Sequence, residues 1–90
     1  MTPDGLPGAE LVERGLRDLD ERAETIESLL VSLGAPGLRT LGFVVRKPFA
    51  EPELRLYRLL AARHGDSAHT RYNALLRRLV SFQRSAACAR

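Results

Sequence analysis

Apolar residues recur with a helical period through the first third of the chain, and this spacing constrains the fold more than any other feature. Between Ala9 and Leu33 the apolar positions are separated alternately by four and three residues, which is a heptad repeat. This heptad seam consists of Val12, Leu16, Leu19, Ala23, Ile26, Leu30 and Leu33. Acids followed four residues later by an arginine, such as Glu10 and Arg14, support the same helix. The sequence therefore predicts one long helix over residues 9–33.

Two interpretations of the heptad seam stay open. Its residues can pack against later helices of the same chain, or they can form the interface of a homodimer. A chain of 90 residues buries only about 60–65% of its unfolded surface, so self-association is a common source of further burial. The residues predicted to form this core or dimer seam are Val12, Leu16, Leu19, Ile26 and Leu30.

Turn residues divide the remainder of the chain. Gly34 and Pro36 end the first helix. The next stretch, residues 36–49, is ambiguous, because its apolar spacing fits a short helix whereas Phe43-Val44-Val45 fits a short strand. We expect the short helix, ended by Lys47-Pro48.

Two further helices are predicted in the second half of the chain. Pro52 suits the first turn of a helix, and Gly65 suits its C-terminal end. A last helix should start with Asp66 or Ser67 as its N-cap and run to about Ala86.

The expected fold is all-α, a small helical bundle of three to four helices. In this bundle the long heptad-patterned N-terminal helix packs against the basic C-terminal helix. Residues 1–8, which carry two prolines and two glycines, are expected to form a flexible lead. Residues 9–87 form a single helical domain in this prediction, and residues 88–90 form a frayed tail.

The charge of the chain changes sign at the turn Gly34-Ala35-Pro36-Gly37. Up to Gly37 there are eight acidic residues and three arginines, a net charge of −5. From Leu38 onward eleven basic and three acidic residues give +8, and no acid follows Asp66. This split indicates either that the two halves pair with each other or that the basic half has an acidic partner.

Four arginines of the last helix are the main candidates for a binding surface. Arginine forms paired hydrogen bonds with carboxylates and with phosphates, so such a surface suits an acidic protein or a nucleic acid. The alternative interpretation is a solvated helix face, neutralised in part by the acidic first helix. The four residues are predicted to share one arc of the helix: Arg71, Arg77, Arg78 and Arg84.

Two further patterns in the second half of the chain resemble more specific sites. Residues 60–74, with Gly65 at the turn, fit a DNA-binding helix-turn-helix, except that Asp66 and Arg71 occupy positions where that motif has apolar residues. His64, His69 and Cys88 straddle a helix break and lack an evident fourth ligand, so we expect no metal site.

No catalytic motif is present in the sequence. The chain has no Gly-rich phosphate loop, no Ser-His-Asp arrangement and no CxxC, so we expect neither an enzyme nor a bound cofactor. Cys88 is the only cysteine, which excludes an internal disulfide and favours a reducing cytoplasm. The N-terminus lacks the pattern of a signal peptide, and the longest uncharged stretch is about half of a membrane-spanning helix.

These features together predict a small cytoplasmic helical protein that binds another protein. It would act as an adaptor, regulator or assembly subunit, as a homodimer, without contact with a membrane. Binding of a nucleic acid through the arginines of the last helix is the alternative.

Overall fold

Helices make up most of residues 5–89, which are the residues that the computed structural model describes. These residues contain no strand, so the all-α prediction is confirmed. Residues 1–4 of the predicted lead and Arg90 of the predicted tail lie outside the described residues. The helices are α1 (Ala9–Asp20), α2 (Ile26–Leu33), α3 (Ala35–Thr40), α4 (Pro52–His64) and α5 (Ala68–Cys88), with a 3₁₀ turn at Gly65–Ser67.

The predicted long N-terminal helix is wrong in one respect, because it is divided into α1 and α2. The helix stops at Asp20, and Arg22 takes a left-handed backbone conformation with φ of 58°. A new helix then starts at Thr25, whose hydroxyl accepts a hydrogen bond from the Ser28 N–H at 3.1 Å. The Thr25 N–H donates to the Ser28 hydroxyl at 2.7 Å, which completes a capping box. The capping box therefore starts a second helix where the heptad spacing predicts one continuous helix.

The division lets α1 fold back against α2. Gly15 of α1 lies against the backbone of Glu27 and the side chain of Val31, so the two helices approach closely and run antiparallel. The opposite side of α2 packs against α4, and α4 packs against α5. The predicted main contact between the first and last helices is replaced by these pairs, because α2 occupies the centre of the bundle.

The first and last helices do meet, at the N-terminal end of α1. The backbone at Gly8 lies against the Arg78 carbonyl oxygen and the Phe82 side chain. Leu6, in the part of the predicted flexible lead that the structure describes, packs against the core beside this contact. The Ala9 N–H donates to the Leu6 carbonyl oxygen at 3.1 Å and closes the turn that precedes α1.

The ambiguous segment contains only a short helix, α3, which ends at Thr40. The following residues, 41–51, are irregular but well anchored. The Arg39 guanidinium donates to the Val45 carbonyl oxygen at 2.7 and 3.1 Å, and the Phe49 N–H donates to the Ser32 hydroxyl at 3.0 Å. Buried Val45 and half-buried Phe43 supply the apolar contacts that hold the segment on the core.

The second half of the chain follows the sequence prediction more closely. Helix α4 starts at Pro52 and ends at Gly65, which has a φ of 56° that a residue with a side chain rarely adopts. Ser67 stands at the N-cap of α5 without a capping hydrogen bond to the helix, and its hydroxyl donates to the His64 carbonyl oxygen at 3.0 Å. The helix continues to Cys88, two residues beyond the predicted end.

Candidate interaction surfaces on the last helix

One side of α5 is buried in the bundle, and this determines what its other sides present. Leu79, Phe82 and Ala86 are at most 3% exposed, and Phe82 stacks at a tilt on Phe43 with ring centroids 5.6 Å apart. Gln83, at the margin, reaches the Gly34 carbonyl oxygen at 3.4 Å. The remaining circumference of this 21-residue helix is available for contacts with other molecules.

The four predicted arginines are all exposed, but they form two stripes rather than one arc. Residues seven apart in a helix lie within about 20° of each other, whereas adjacent residues differ by about 100°. Arg71 and Arg78 therefore share one stripe, and Arg77 and Arg84 share another. The two stripes line different depressions of the surface.

The first depression surrounds Val80, which is 41% exposed although it is a large apolar residue. Arg77 and Arg84 flank it on α5, and the depression continues across to α3. Within residues 5–89 neither arginine side chain has an ion-pair or hydrogen-bond partner. We refer to this surface as the Val80 face; it consists of Leu76, Arg77, Val80, Arg84 and Ala87, with Gly37 and Thr40 on α3.

The second depression lies where α2, α4 and α5 meet. Buried Leu60 and half-buried Ile26 and Leu75 form its apolar floor. Three side chains that carry or can acquire a positive charge stand at its rim. This arginine groove has a volume of about 240 Å³, and its rim consists of His64, Arg71 and Arg78.

The rim arginines of this groove have weak intramolecular contacts. Arg71 donates from Nε to the Ser67 hydroxyl at 3.2 Å, which leaves the end of its guanidinium free of contacts with the described residues. Arg78 lies 3.8 Å from the Glu10 carboxylate, with side chains 49% and 84% exposed. An ion pair this long and exposed contributes little to stability, at most about 1 kcal/mol.

Aromatic residues cluster on the other side of the contact between α4 and α5. Tyr57 meets Tyr72 edge to face with ring centroids 5.6 Å apart, and it lies 6.4 Å from the His69 ring. Partial burial raises the pKa of the Tyr72 phenol above its ordinary value, and the nearby Glu53 carboxylate adds to the effect. Tyr72 therefore stays neutral and serves as packing.

Ion pairs link the acidic and basic halves of the chain within residues 5–89. Glu10 of α1 pairs with Arg78 of α5, and Glu24 pairs with Arg55 of α4 at 3.0 Å. Of these two contacts only the first, which is long and exposed, places a carboxylate beside an arginine of α5.

The residues of the heptad seam lie mainly inside the single chain. Val12, Leu19 and Leu30 are at most 1% exposed, and they face the contacts between α1, α2 and the rest of the bundle. Leu16 and Ile26 are partly buried against the same core, and Ile26 also forms part of the floor of the arginine groove.

Sequence reasoning missed Val80 and Arg22. By its spacing Val80 belongs to the apolar side of the last helix together with Leu76 and Leu79, but the bundle leaves Val80 41% exposed. Arg22 links the segment between α1 and α2 to the segment between α3 and α4. Its guanidinium donates to the Lys47 carbonyl oxygen at 2.7 Å and lies 4.5 Å from the centre of the Phe49 ring. No local pattern indicated this contact, because the residues are 25 positions apart.

The residues considered for a metal site do not come together. His64, His69 and Cys88 are exposed, and the His69 ring contacts the Asn73 amide at 3.2 Å. Throughout residues 5–89 there is no group of three histidine, cysteine, aspartate or glutamate residues placed to hold a metal ion. In the same part of the chain no helix is long and apolar enough to span a membrane.

Comparison of the chain with protein-family models, with curated proteins and with solved structures gives no match.

Proposed function

We propose that this chain is a small non-catalytic helical protein that binds another protein through the Val80 face and acts as a regulatory or adaptor protein. The observation that carries the proposal is the exposure of Val80 between two arginines without partners among the described residues. An apolar centre with a charged rim is typical of protein interfaces, in which arginine often contributes strongly to affinity. The proposed setting is the cytoplasm, which suits an exposed lone cysteine such as Cys88.

The charge of the Val80 face favours an acidic partner. A second copy of the chain offers such a surface on α1, where the side chain of Glu10 is 84% exposed. Contact between two copies of α5 would instead bring Arg77 and Arg84 of both copies together, which like-charge repulsion opposes. We therefore propose a homodimer in which α5 of each copy contacts α1 of the other.

Size-exclusion chromatography with light scattering tests this dimer. We expect a dimer at tens of micromolar protein, and we expect Val80→Lys to weaken it at least tenfold because the variant places another cation at the centre of the face. Val44→Lys is the matched control, since Val44 is 67% exposed and lies in the irregular segment after α3. A monomeric wild-type protein at these concentrations, or equal effects of both variants, would overturn the proposed dimer.

Binding of a nucleic acid is the second candidate, favoured by the exposure of all four α5 arginines. It is less well supported, because an apolar centre adds nothing to phosphate contacts and because Asp66 and Arg71 are exposed where a helix-turn-helix has apolar residues. The two stripes give a direct comparison. If the arginines contact a phosphate backbone, each stripe contributes to the slope of log affinity against log salt concentration. That slope should fall by the equivalent of about two phosphate contacts in each double variant, Arg71→Gln/Arg78→Gln and Arg77→Gln/Arg84→Gln.

Fluorescence anisotropy with duplex DNA and with RNA at several salt concentrations measures this binding. Micromolar affinity that falls steeply with salt would support the second candidate. Absence of micromolar binding at low salt would exclude it and leave the protein partner.

A further inference from the structure

The arginine groove combines an apolar floor with a cationic rim, and none of the described residues that line it is acidic. Its floor consists of Ile26, Leu60 and Leu75, and its rim carries Arg71, Arg78 and His64. The groove lies on a different side of α5 from the Val80 face, and the two depressions share no residue. The groove is therefore a candidate binding site separate from the Val80 face.

The volume of the groove limits what it can hold. At about 240 Å³, it is below the range of roughly 300–1,000 Å³ that is usual for sites that enclose a small-molecule ligand or cofactor. It is large enough for one apolar side chain of a partner protein. Such a side chain would contact Leu60 and Leu75 and remove them from water.

The spacing of the rim arginines adds a second constraint. Arg71 and Arg78 are two helical turns apart, which corresponds to a rise of about 10 Å along α5. A partner helix lying along the groove has the same rise, so carboxylates seven residues apart on that helix can reach both guanidinium groups. An apolar residue between the two acids then lies above the floor.

We propose that the arginine groove binds an acidic amphipathic helix of a partner protein, with one large apolar side chain on the floor and flanking carboxylates on Arg71 and Arg78. Charge complementarity supports this occupant, because the groove has a cationic rim in a region of the chain with a net charge of +8 from Leu38 onward. The Glu10 contact of Arg78 is long and exposed, so an incoming carboxylate can replace it at little cost.

A labelled helical peptide tests this proposal by fluorescence anisotropy. The probe is an alanine-based peptide with a leucine between two glutamates seven residues apart, and its controls replace the glutamates by glutamine or the leucine by alanine. We expect the wild-type protein to bind the probe and to bind each control at least tenfold more weakly. Lack of binding at millimolar protein would overturn the proposal.

Two matched double variants identify the surface that binds the probe. Arg71→Gln/Arg78→Gln should lower the affinity at least tenfold, whereas Arg77→Gln/Arg84→Gln should change it less than threefold. Both variants remove two exposed charges from the same helix at the same spacing, so net charge changes equally, and circular dichroism with thermal unfolding verifies that each is folded. Equal losses, or a loss confined to the second variant, would overturn the groove as the site without affecting the proposed dimer.

Discussion

Gly15 occupies the closest contact between α1 and α2. A Cβ atom at this position would come within 2.6 Å of Val31 Cγ1 and closer still to the carbonyl oxygen of Glu27. A backbone atom cannot move aside as the end of a side chain can, so any larger residue must push the two helices apart. The absence of a side chain at Gly15 is therefore a condition for the antiparallel packing of α1 on α2.

Replacement of Gly15 by alanine should lower the free energy of unfolding by about 2–3 kcal/mol, because the helices must separate to admit the methyl group. Urea denaturation measures the change. Gly37→Ala is the matched control, since its Cβ would meet only the movable amide of Gln83 at 2.7 Å and alanine favours the helix at that position. If both variants lower the free energy of unfolding by less than about 1 kcal/mol, the close approach of α1 to α2 is contradicted.

At the same scale, single arginines have distinct roles that their residue type does not reveal. Arg39 and Arg22 bind backbone carbonyl oxygens of the irregular segment after α3. The side chains of Arg77 and Arg84, by contrast, form no hydrogen bond or ion pair with the described residues. Composition alone predicts a basic surface, whereas the distribution of these contacts shows which arginines remain available to a partner.

Among the elements, the turn between α1 and α2 has the largest effect on the architecture. The capping box of Thr25 and Ser28 satisfies the first N–H groups of α2, and the Thr25 hydroxyl also donates to the Asp18 carboxylate at 2.7 Å. These contacts stabilise a new helix start where an uninterrupted helix was predicted. The heptad spacing nevertheless remains useful, since most of its residues still face the core after the chain turns back.

Thr25→Ala should lower the free energy of unfolding by about 1–2 kcal/mol, because the cap of α2 is lost together with the hydrogen bond to Asp18. Thr25→Ser should retain most of the stability. Thermal and urea unfolding compare these variants with Thr70→Ala, which removes an exposed threonine from the first turn of α5. An equal effect of Thr25→Ala and Thr70→Ala would show that the cap does not stabilise the turn.

The helices of the second half were predicted better than those of the first. Pro52 and Gly65 limit a helix through their own backbone geometry, so the sequence predicts both ends of α4 directly. The break at residues 21–25 contains neither proline nor glycine. The Thr25–Ser28 capping box marks the start of α2, whereas the return of the chain depends on the packing of α1 on α2, which a local pattern does not contain.

For the whole molecule, the central position of α2 explains why the heptad residues do not form an exposed seam. Leu30 is fully buried between the surrounding helices of one chain. Leu30 is therefore inaccessible to another molecule, whereas Val80 and the α5 arginines are exposed.

Leu30→Ala should lower the free energy of unfolding by about 3 kcal/mol, because it leaves a cavity in the core. The difference in the free energy of unfolding between Leu30→Ala and the wild type should be the same at low and high protein concentration, because the lost contacts are within one chain. Leu54→Ala, at a leucine of α4 that is 44% exposed, should cost less than about 1 kcal/mol. A difference for Leu30→Ala that grows with protein concentration would place Leu30 in an interface between copies.

Apolar periodicity, the backbone geometry of proline and glycine, and composition all act locally. They were enough to predict the helical class, the limits of α4, the approximate extent of α5 and a basic last helix. The return of α1 onto α2, the central position of α2 and the separation of the four arginines into two surfaces are evident in the folded molecule alone. These features depend on which sides of each helix the other helices cover, and packing between residues distant in the chain settles this.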